Sequence, residues 1–191
     1  MIKIGLTGGI GSGKSMVSSL LEVLRIPVYV ADTESKRLTN ASPLIRERLI
    51  ALLGESIYCG AEVDRKRLAS CIFSDPECLK QVNAIIHPEV NRHFLAWVAR
   101  QTSPVCAIET AILFESGFHR DVDVSVMVYA PLELRIERVV ARDGLSREEV
   151  IRRINNQLAD EVKKTYADYI IYNDDSRALI PQLNSLMARF R

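Results

Sequence analysis

The chain lacks the features that would place it in a membrane or export it. No stretch approaches the ~18 consecutive apolar residues that a membrane-spanning helix needs. Its first residues, MIKIGLTGG, predict a β-strand and show none of the basic start, apolar stretch and small-residue cleavage site of a signal peptide. We therefore expect a cytoplasmic protein that does not bind membranes.

An excess of charge of one sign and a metal-binding cysteine pattern are also absent. The 191 residues include 25 Lys and Arg against 24 Asp and Glu, a formal net charge of +1. Non-specific nucleic-acid binding needs a clear basic excess, so we expect no nucleic-acid partner. The four cysteines match no C-x-x-C redox or zinc pattern, which favours free thiols in a reducing compartment; they are Cys59, Cys71, Cys78 and Cys106.

Short, almost continuously apolar segments alternate with longer helical patterns. Such segments are typical of strands buried on both faces of a parallel sheet and joined by helical crossovers. We therefore predict an α/β fold. The predicted strands are Ile2–Leu6, Val28–Val30, Val105–Ile108, Val124–Tyr129 and Tyr169–Tyr172, and the predicted helices are Lys14–Leu24, Leu132–Arg142, Arg147–Gln157 and Arg177–Arg189.

Two helical segments extend this core. Residues 33–102 are too many for one crossover helix and must form several, the last starting at Pro76 with Asp75 as its N-cap. Ser146 and Glu149 form an S-x-x-E capping box at the start of a charged helix that we interpret as a mobile lid. We expect one domain, residues 1–191, with its core at about 1–32, 103–141 and 167–191, a helical substrate-binding insertion at about 33–102 and a lid at about 142–166.

The motif with the most specific chemistry fits the phosphate-binding pattern G-x-x-x-x-G-K-[ST] and consists of Gly8, Gly9, Ile10, Gly11, Ser12, Gly13, Lys14 and Ser15. Its glycines let backbone N–H groups point at an anion, and the helix that follows adds its positive end. We expect the Lys14 side chain to reach the β- and γ-phosphates of ATP and the Ser15 hydroxyl to ligate Mg²⁺.

This loop alone does not separate kinases from GTPases, ATPases and molecular switches. The guanine-reading N-K-x-D sequence of switch GTPases is absent. Asp32 follows the second predicted strand, where open α/β sheets bind ligands, and could accept the proton of an attacking hydroxyl. It could also be a helix N-cap. Arg138 and Arg142 share a helix face and could clamp the transferring phosphoryl group, or lie on a solvated surface.

Several further segments follow in a characteristic order. They are GLTGGIGSGKS at residues 5–15, VDR at 63–65, IFSD at 72–75, VNAIIHPEV at 82–90, ILFE at 112–115, Arg138 with RD at 142–143, RINNQ at 153–157 and ADYIIYN at 167–173. In this order and spacing they resemble the dephospho-CoA kinase family over essentially the whole chain. The resemblance implies a parallel-sheet P-loop NTPase fold like that of nucleoside monophosphate kinases.

The resemblance also implies a reaction. The γ-phosphoryl group of ATP would pass to the ribose 3′-hydroxyl of 3′-dephospho-CoA, giving coenzyme A in the last step of its synthesis, with Asp32 as the base. The candidate catalytic residues are Asp32, Lys14, Arg138 and Arg142, and the candidate substrate-binding residues are Asp32, Lys36, His87 and Glu115.

Three carboxylate and imidazole roles stay open on the residues alone. His87, before a proline, could instead be a packed helix-end histidine. Glu115 could orient a Mg²⁺-bound water or a substrate group, or pair with a basic neighbour. Glu109, at the end of the third predicted strand, is a second candidate for the outer shell of the metal.

Four positions depart from the family pattern as it commonly occurs. Val30, Lys36, Ala111 and Arg135 stand where Asp, Arg, Pro and Gln are usual. Lys36 keeps the positive charge but not the bidentate geometry of a guanidinium. The alternatives to the implied reaction are another small-molecule P-loop kinase and, in a different class, a nucleotide-dependent switch or ATPase. A monomer is favoured.

Overall fold

The computed structural model describes residues 1–190, except for the side chain of Phe73; Arg191, the last residue of the expected domain, lies outside the described residues. Two compact units divide the chain. Residues 1–30 and the chain from 101 onward form the first, and residues 31–100 form the second. The division into core, insertion and lid stays a prediction.

The described residues form a succession of strands and helices. In chain order they are β1 (Ile2–Thr7), α1 (Lys14–Val23), β2 (Val28–Val30), α2 (Ala31–Ala41), α3 (Pro43–Leu53), β3 (Tyr58–Cys59), β4 (Glu62–Val63), α4 (Arg65–Ser74), α5 (Pro76–Val98), β5 (Val105–Glu109), β6 (Val124–Tyr129), α6 (Leu132–Asp143), α7 (Arg147–Asn155), α8 (Asp160–Tyr166), β7 (Tyr169–Tyr172) and α9 (Leu179–Met187). None of these helices, within residues 1–190, is long and apolar enough to cross a membrane.

The first unit is built on a five-stranded sheet in the order β2-β5-β1-β6-β7. All neighbouring strands in this sheet are parallel, and β1 lies in the middle, paired with β5 on one side and β6 on the other. The five predicted strands are confirmed to within one residue at each end. Because the strands are parallel, the segments that follow β1, β5, β6 and β7 all leave the same edge of the sheet.

The near-continuous apolar character of the strands reflects burial on both faces. Ile4, Leu6 and Val126 are fully buried in one core cluster with Val17 of α1 and Leu183 of α9. Burying an aliphatic side chain of this kind contributes roughly 1.5–3 kcal/mol each. The central position of β1 therefore fixes the start of the segment that follows it, residues 8–13, very firmly.

The helices after α6 differ in part from the prediction. The capping box is confirmed, since the Ser146 hydroxyl accepts from Glu149 N at 3.2 Å and the Glu149 carboxylate accepts from Ser146 N at 2.9 Å. The predicted helix to Gln157 is too long, because α7 ends at Asn155 and a separate helix, α8, begins at Asp160. The last predicted helix is also too long, since α9 spans Leu179–Met187 and the next three residues form a 3₁₀ turn.

The second unit contains four helices and a short hairpin. The start of α5 is confirmed, with Asp75 as N-cap accepting from Glu77 N at 2.9 Å and Pro76 in the first turn. The antiparallel hairpin of β3 and β4 was not predicted, because each strand has only two residues and gives no period. Buried residues of α2, α3 and α5 form the interior; they include Leu38, Ile45, Leu49 and Phe94.

A carboxylate ties β7 to β6 and generates a prediction about acid stability. The Asp168 carboxylate accepts hydrogen bonds from the hydroxyl and backbone N–H of Ser125 at 2.7 and 2.8 Å. These bonds hold the pKa of Asp168 below its ordinary value. The stabilisation is therefore complete above the ordinary aspartate pKa of about 3.9 and is lost as the pH falls through the lower folded-state value.

We expect Asp168→Asn to lower the free energy of unfolding at pH 7 by about 1 kcal/mol, a figure reduced because the carboxylate is partly exposed. The difference from the unsubstituted protein should shrink as the pH is lowered below about 4. Urea unfolding at a series of pH values measures both. Glu161→Gln, which breaks an exposed pair with Lys164, is the control and should change little. A difference for Asp168→Asn that does not depend on pH would contradict this role of the carboxylate.

Candidate active site

The loop between β1 and α1 has the geometry of an anion-binding turn. Gly13 adopts a left-handed backbone conformation, with φ at 94°, directly before the first residue of α1, Lys14. The Lys14 ammonium folds back over the loop and donates to the carbonyls of Gly8 and Gly9 at 2.9 and 3.2 Å. The predicted start of α1 is therefore confirmed, and contact of Lys14 with the phosphates stays a prediction. A positive helix end and a fixed ammonium face the same turn.

Asn173, the residue after β7, holds the far end of the loop. Its side-chain N–H donates to the Ser12 carbonyl at 2.8 Å, and its backbone N–H donates to the Tyr129 carbonyl at 2.8 Å. A Cβ atom at Gly13 would overlap the Asn173 amide. Position 13 therefore requires glycine for two reasons, the left-handed backbone conformation and the close approach of the Asn173 amide.

The side chains of Arg135 and Gln157 contact Ile10, in the middle of the loop. Arg135 of α6 is only 2% exposed and donates from Nε to the Ile10 carbonyl at 2.8 Å. Gln157, between α7 and α8, accepts from Ile10 N at 3.1 Å. Arg135 also forms an ion pair with Asp160. Sequence reasoning missed these contacts, because the two with Ile10 join residues 125 and 147 positions apart and none of the three follows from a local pattern.

The expected magnesium ligand lies where a cation could reach it. Ser15 is exposed in the first turn of α1. Two buried hydroxyls at the same loop, of Thr7 and Ser12, have no partner within residues 1–190. Over that part of the chain no three His, Cys, Asp or Glu side chains gather into a metal site. A single hydroxyl ligand is compatible with Mg²⁺, because substrate phosphates and water usually complete the coordination shell of this ion.

Glu109 lies at the end of β5 with its side chain largely buried. It accepts a hydrogen bond from the Ser18 hydroxyl of α1 at 2.6 Å. Since β5 lies between β1 and β2, this carboxylate is close to the strand end that leads into the phosphate loop. Its role in the outer shell of a metal stays a prediction.

The two arginines proposed as a phosphoryl clamp have different partners. Arg138 donates to the Asn173 carbonyl at 3.0 Å and pairs with Asp175 at 2.5 Å. Arg142 is well exposed and donates to both carboxylate oxygens of its neighbour, Asp143, at 2.7 and 3.0 Å. The described contacts therefore bring Arg138 to the end of β7, beside the loop, but not Arg142. Contact of either with phosphate stays a prediction.

Glu115 has a basic partner, as one of its two alternatives allowed. Its carboxylate accepts from Leu158 N at 2.9 Å and pairs with Lys163 at 3.1 Å. The Lys163 side chain is fully buried and also donates to the Ala111 carbonyl at 2.7 Å. Burial lowers the pKa of Lys163, and the Glu115 charge partly opposes this. A substrate contact by Glu115 stays a prediction.

The remaining candidates belong to the second unit. Asp32 and Lys36 are exposed and one helical turn apart on α2. Because α2 begins at Ala31, Asp32 lies inside its first turn and is not the residue that caps it. His87 is half-buried, and burial lowers its pKa. It is not a helix-end residue, since α5 continues through Pro88 to Val98.

Sequence comparison relates this chain to known proteins. The sequence profile described as dephospho-CoA kinase matches residues 2–178. The chain belongs to the dephospho-CoA kinase family. Proteins described as dephospho-CoA kinase from Bacteroides fragilis (strain YCH46) and Porphyromonas gingivalis (strain ATCC BAA-308 / W83) are 48% and 44% identical to it. The alignments cover 98% and 100% of this chain and 92% and 95% of those relatives.

Solved structures show that this dephospho-CoA kinase family member has a P-loop kinase fold. A crystal structure of a Thermus thermophilus protein is 38% identical, with a TM-score of 0.88 over 100% of this chain and 98% of that one. A shikimate kinase from Acinetobacter baumannii is 18% identical, with a TM-score of 0.53 over 99% of this chain and 92% of that one, and shows the fold alone. The predicted P-loop fold is therefore confirmed.

The crowding at Gly13 predicts a specific loss of nucleotide binding in this member of the dephospho-CoA kinase family. Gly13→Ala introduces both left-handed strain, roughly 1–2 kcal/mol, and an overlap with Asn173. Gly117→Ala is a matched control, because Gly117 has φ at 82° but no atom within 4 Å of an added Cβ.

Calorimetric titration with ATP should show at least a ~10-fold weaker affinity for Gly13→Ala, equivalent to ~1.4 kcal/mol, and less than a ~2-fold change for Gly117→Ala. Thermal unfolding should show that both variants are folded. Equal losses of ATP affinity in the two variants would mean that the loss does not depend on the contact with Asn173.

Proposed function

We propose that this protein transfers the γ-phosphoryl group of ATP to the ribose 3′-hydroxyl of 3′-dephospho-CoA, producing ADP and coenzyme A in the final step of coenzyme A synthesis. The observation that carries the proposal is family membership across residues 2–178 together with a complete phosphate loop. Relatives described as dephospho-CoA kinase match over nearly their full length. A cytoplasmic, monomeric enzyme is part of the proposal.

The phosphate loop supports ATP binding through its backbone and Lys14. The ammonium is already held over the turn by the Gly8 and Gly9 carbonyls, so little ordering is required when it meets the β- and γ-phosphates. Ser15, exposed in the first turn of α1, would hold Mg²⁺. When bound, Mg²⁺ neutralises charge on the phosphate oxygens. The protein supplies mainly position and electrostatic stabilisation, because phosphoryl transfer needs little covalent chemistry from it.

Asp32 is the proposed base toward the 3′-hydroxyl. Val30, the last residue of β2, pairs with Glu109, which in turn pairs with Leu6 just before the phosphate loop. Two strand spacings, about 10 Å, therefore separate the strand that leads to Asp32 from the strand that leads to the loop. The chain reaches Asp32 two residues after Val30, with its side chain exposed. A carboxylate that follows the end of a sheet strand so closely in the sequence is suited to accept a proton from an attacking hydroxyl.

The other candidates are proposed for binding and for charge stabilisation. Lys36, one turn after Asp32 on α2, and His87 on α5 would contact the acceptor, as would Glu115. Arg138 and Arg142 would stabilise charge on the transferring phosphoryl group by exchanging Asp175 and Asp143 for its oxygens. Closure of residues 142–166 would exclude water, which would otherwise accept the phosphoryl group.

An ADP-release assay with Mg²⁺-ATP tests the proposed reaction directly. It compares dephospho-CoA with adenosine, nucleoside monophosphates and no acceptor, and identifies the product by mass. We expect ADP release that depends on dephospho-CoA and a product with the mass of coenzyme A. Release with another acceptor would replace the substrate and keep the kinase; slow release without any acceptor would favour a switch or an ATPase.

The role of Asp32 predicts a loss of turnover without a loss of nucleotide. Asp32→Asn should lower kcat by at least ~10²-fold, because the general base is removed, and leave ATP affinity nearly unchanged. Glu77→Gln is a matched control, since Glu77 is also an exposed acidic residue in a first helical turn and should leave kcat unchanged. Steady-state kinetics and ATP titration measure the two effects. Near-normal kcat in Asp32→Asn would remove this residue from the role of base.

A further inference from the structure

Ile10 of the phosphate loop contacts the α6–α8 segment through its carbonyl, its backbone N–H and its side chain. The Ile10 carbonyl accepts from Arg135 of α6 at 2.8 Å, and the Ile10 N–H donates to Gln157, between α7 and α8, at 3.1 Å. Its side chain packs against a buried cluster formed by Ile136 and Val139 of α6 with Val150 of α7. Other loop contacts have different destinations, such as Ser12 with Asn173.

The guanidinium of Arg135 is held unusually tightly for a charged group. It is 2% exposed, forms an ion pair with Asp160, the first residue of α8, and lies so close to Gly9 that a Cβ atom there would overlap it. Burial lowers the pKa of Arg135, which expresses the unfavourable cost of burying its charge. A charged side chain that only filled space would be a poor choice here, because an apolar one would avoid that cost.

Gln157 and Asp160, the partners of Ile10 and Arg135, both lie at the connection between α7 and α8. Gln157 lies within residues 156–159, the non-helical connection between α7 and α8, and Asp160 follows that connection directly. Non-helical connections absorb backbone rotation when neighbouring elements move. Any displacement of this connection must break the two contacts to Ile10 and Arg135 or carry the middle of the phosphate loop with it.

We propose that Arg135 and Gln157 are positioning residues that couple the phosphate loop to the α7–α8 connection through Ile10, so that the grip of the loop on ATP and the position of the connection are set together. Neither side chain needs to touch the nucleotide for this. The inference deepens the proposed function by adding how the loop and the lid region act as one. It rests on that function only for ATP as the ligand.

The coupling is tested by variants that release Ile10 from one partner at a time. Arg135→Gln removes the charge and the Nε donor to the Ile10 carbonyl. Gln157→Leu removes the acceptor for the Ile10 N–H while keeping a similar volume. Arg147→Gln is the matched control, because its exposed ion pair with Glu133 also joins α6 and α7 but does not reach the loop.

The measurements are ATP affinity, using a non-hydrolysable ATP analogue with Mg²⁺, and amide hydrogen exchange of residues 156–160 with and without that analogue. We expect each single variant to bind the analogue about tenfold more weakly, as loss of one charge-assisted or buried hydrogen bond implies. The double variant should be much less than a hundredfold weaker, because both changes release the same residue. Saturating analogue should slow exchange at residues 156–160 in the unsubstituted protein and in Arg147→Gln, but not in Arg135→Gln or Gln157→Leu.

A purely structural role would lower the thermal midpoint and leave both of these readouts as they are. Analogue affinity within twofold of the unsubstituted protein, with exchange protection retained, would overturn the proposal. If Arg135→Gln does not fold, Gln157→Leu and the isosteric Asp160→Asn decide, since both should still lose the protection. No acceptor is present in these experiments. Failure of dephospho-CoA as substrate would therefore appear only in the ADP-release assay, and failure of the coupling only here.

Discussion

The backbone of the phosphate loop is enclosed on two sides, by the Arg135 guanidinium at Gly9 and by the Asn173 amide at Gly13. Neither neighbour comes from β1 or α1, the elements that the loop connects. Both follow strands that the sheet order places on one side of β1, namely β6 and β7. The shape of the loop therefore depends on correct pairing of three parallel strands. A change in the position of β6 or β7 would move Arg135 or Asn173 relative to the phosphate loop.

The parts of the fold that could be predicted have local causes. The five strands of the main sheet are apolar almost throughout because both faces are covered, so their position is visible in the sequence itself. The start of α5 at Asp75 and Pro76 and the capping box of Ser146 and Glu149 are also local, since each uses side chains within a few residues of the backbone group they satisfy. The left-handed turn at Gly13 belongs to the same class, because the phosphate-loop pattern contains it.

What could not be predicted depends on contacts between distant parts of the chain. Arg135 and Lys163 have the residue types of a solvated surface, and only the fold shows that both are buried. The break between α7 and α8 leaves residues 156–159 outside a helix, and Gln157 of this connection contacts the loop, for which charge and periodicity give no sign. The proposed roles of Asp32 and His87 could not be assigned from the sequence for another reason. A carboxylate or an imidazole can serve several purposes, and only a contact with a substrate distinguishes them.

The path of the chain through the second unit has a consequence for the order of folding. Pairing β2 with β5 requires closing a connection of residues 31–104, whose entropic cost grows with length. Within the second unit, α2 packs against α5, and His93 of α5 contacts Glu34 and Arg37 of α2. Once the second unit is folded, only about 14 residues remain to be closed, which reduces the cost by about 1.5 kcal/mol. Because β5 pairs with both β1 and β2 and both pairings close this connection, β5 should join these two strands only after the second unit has formed.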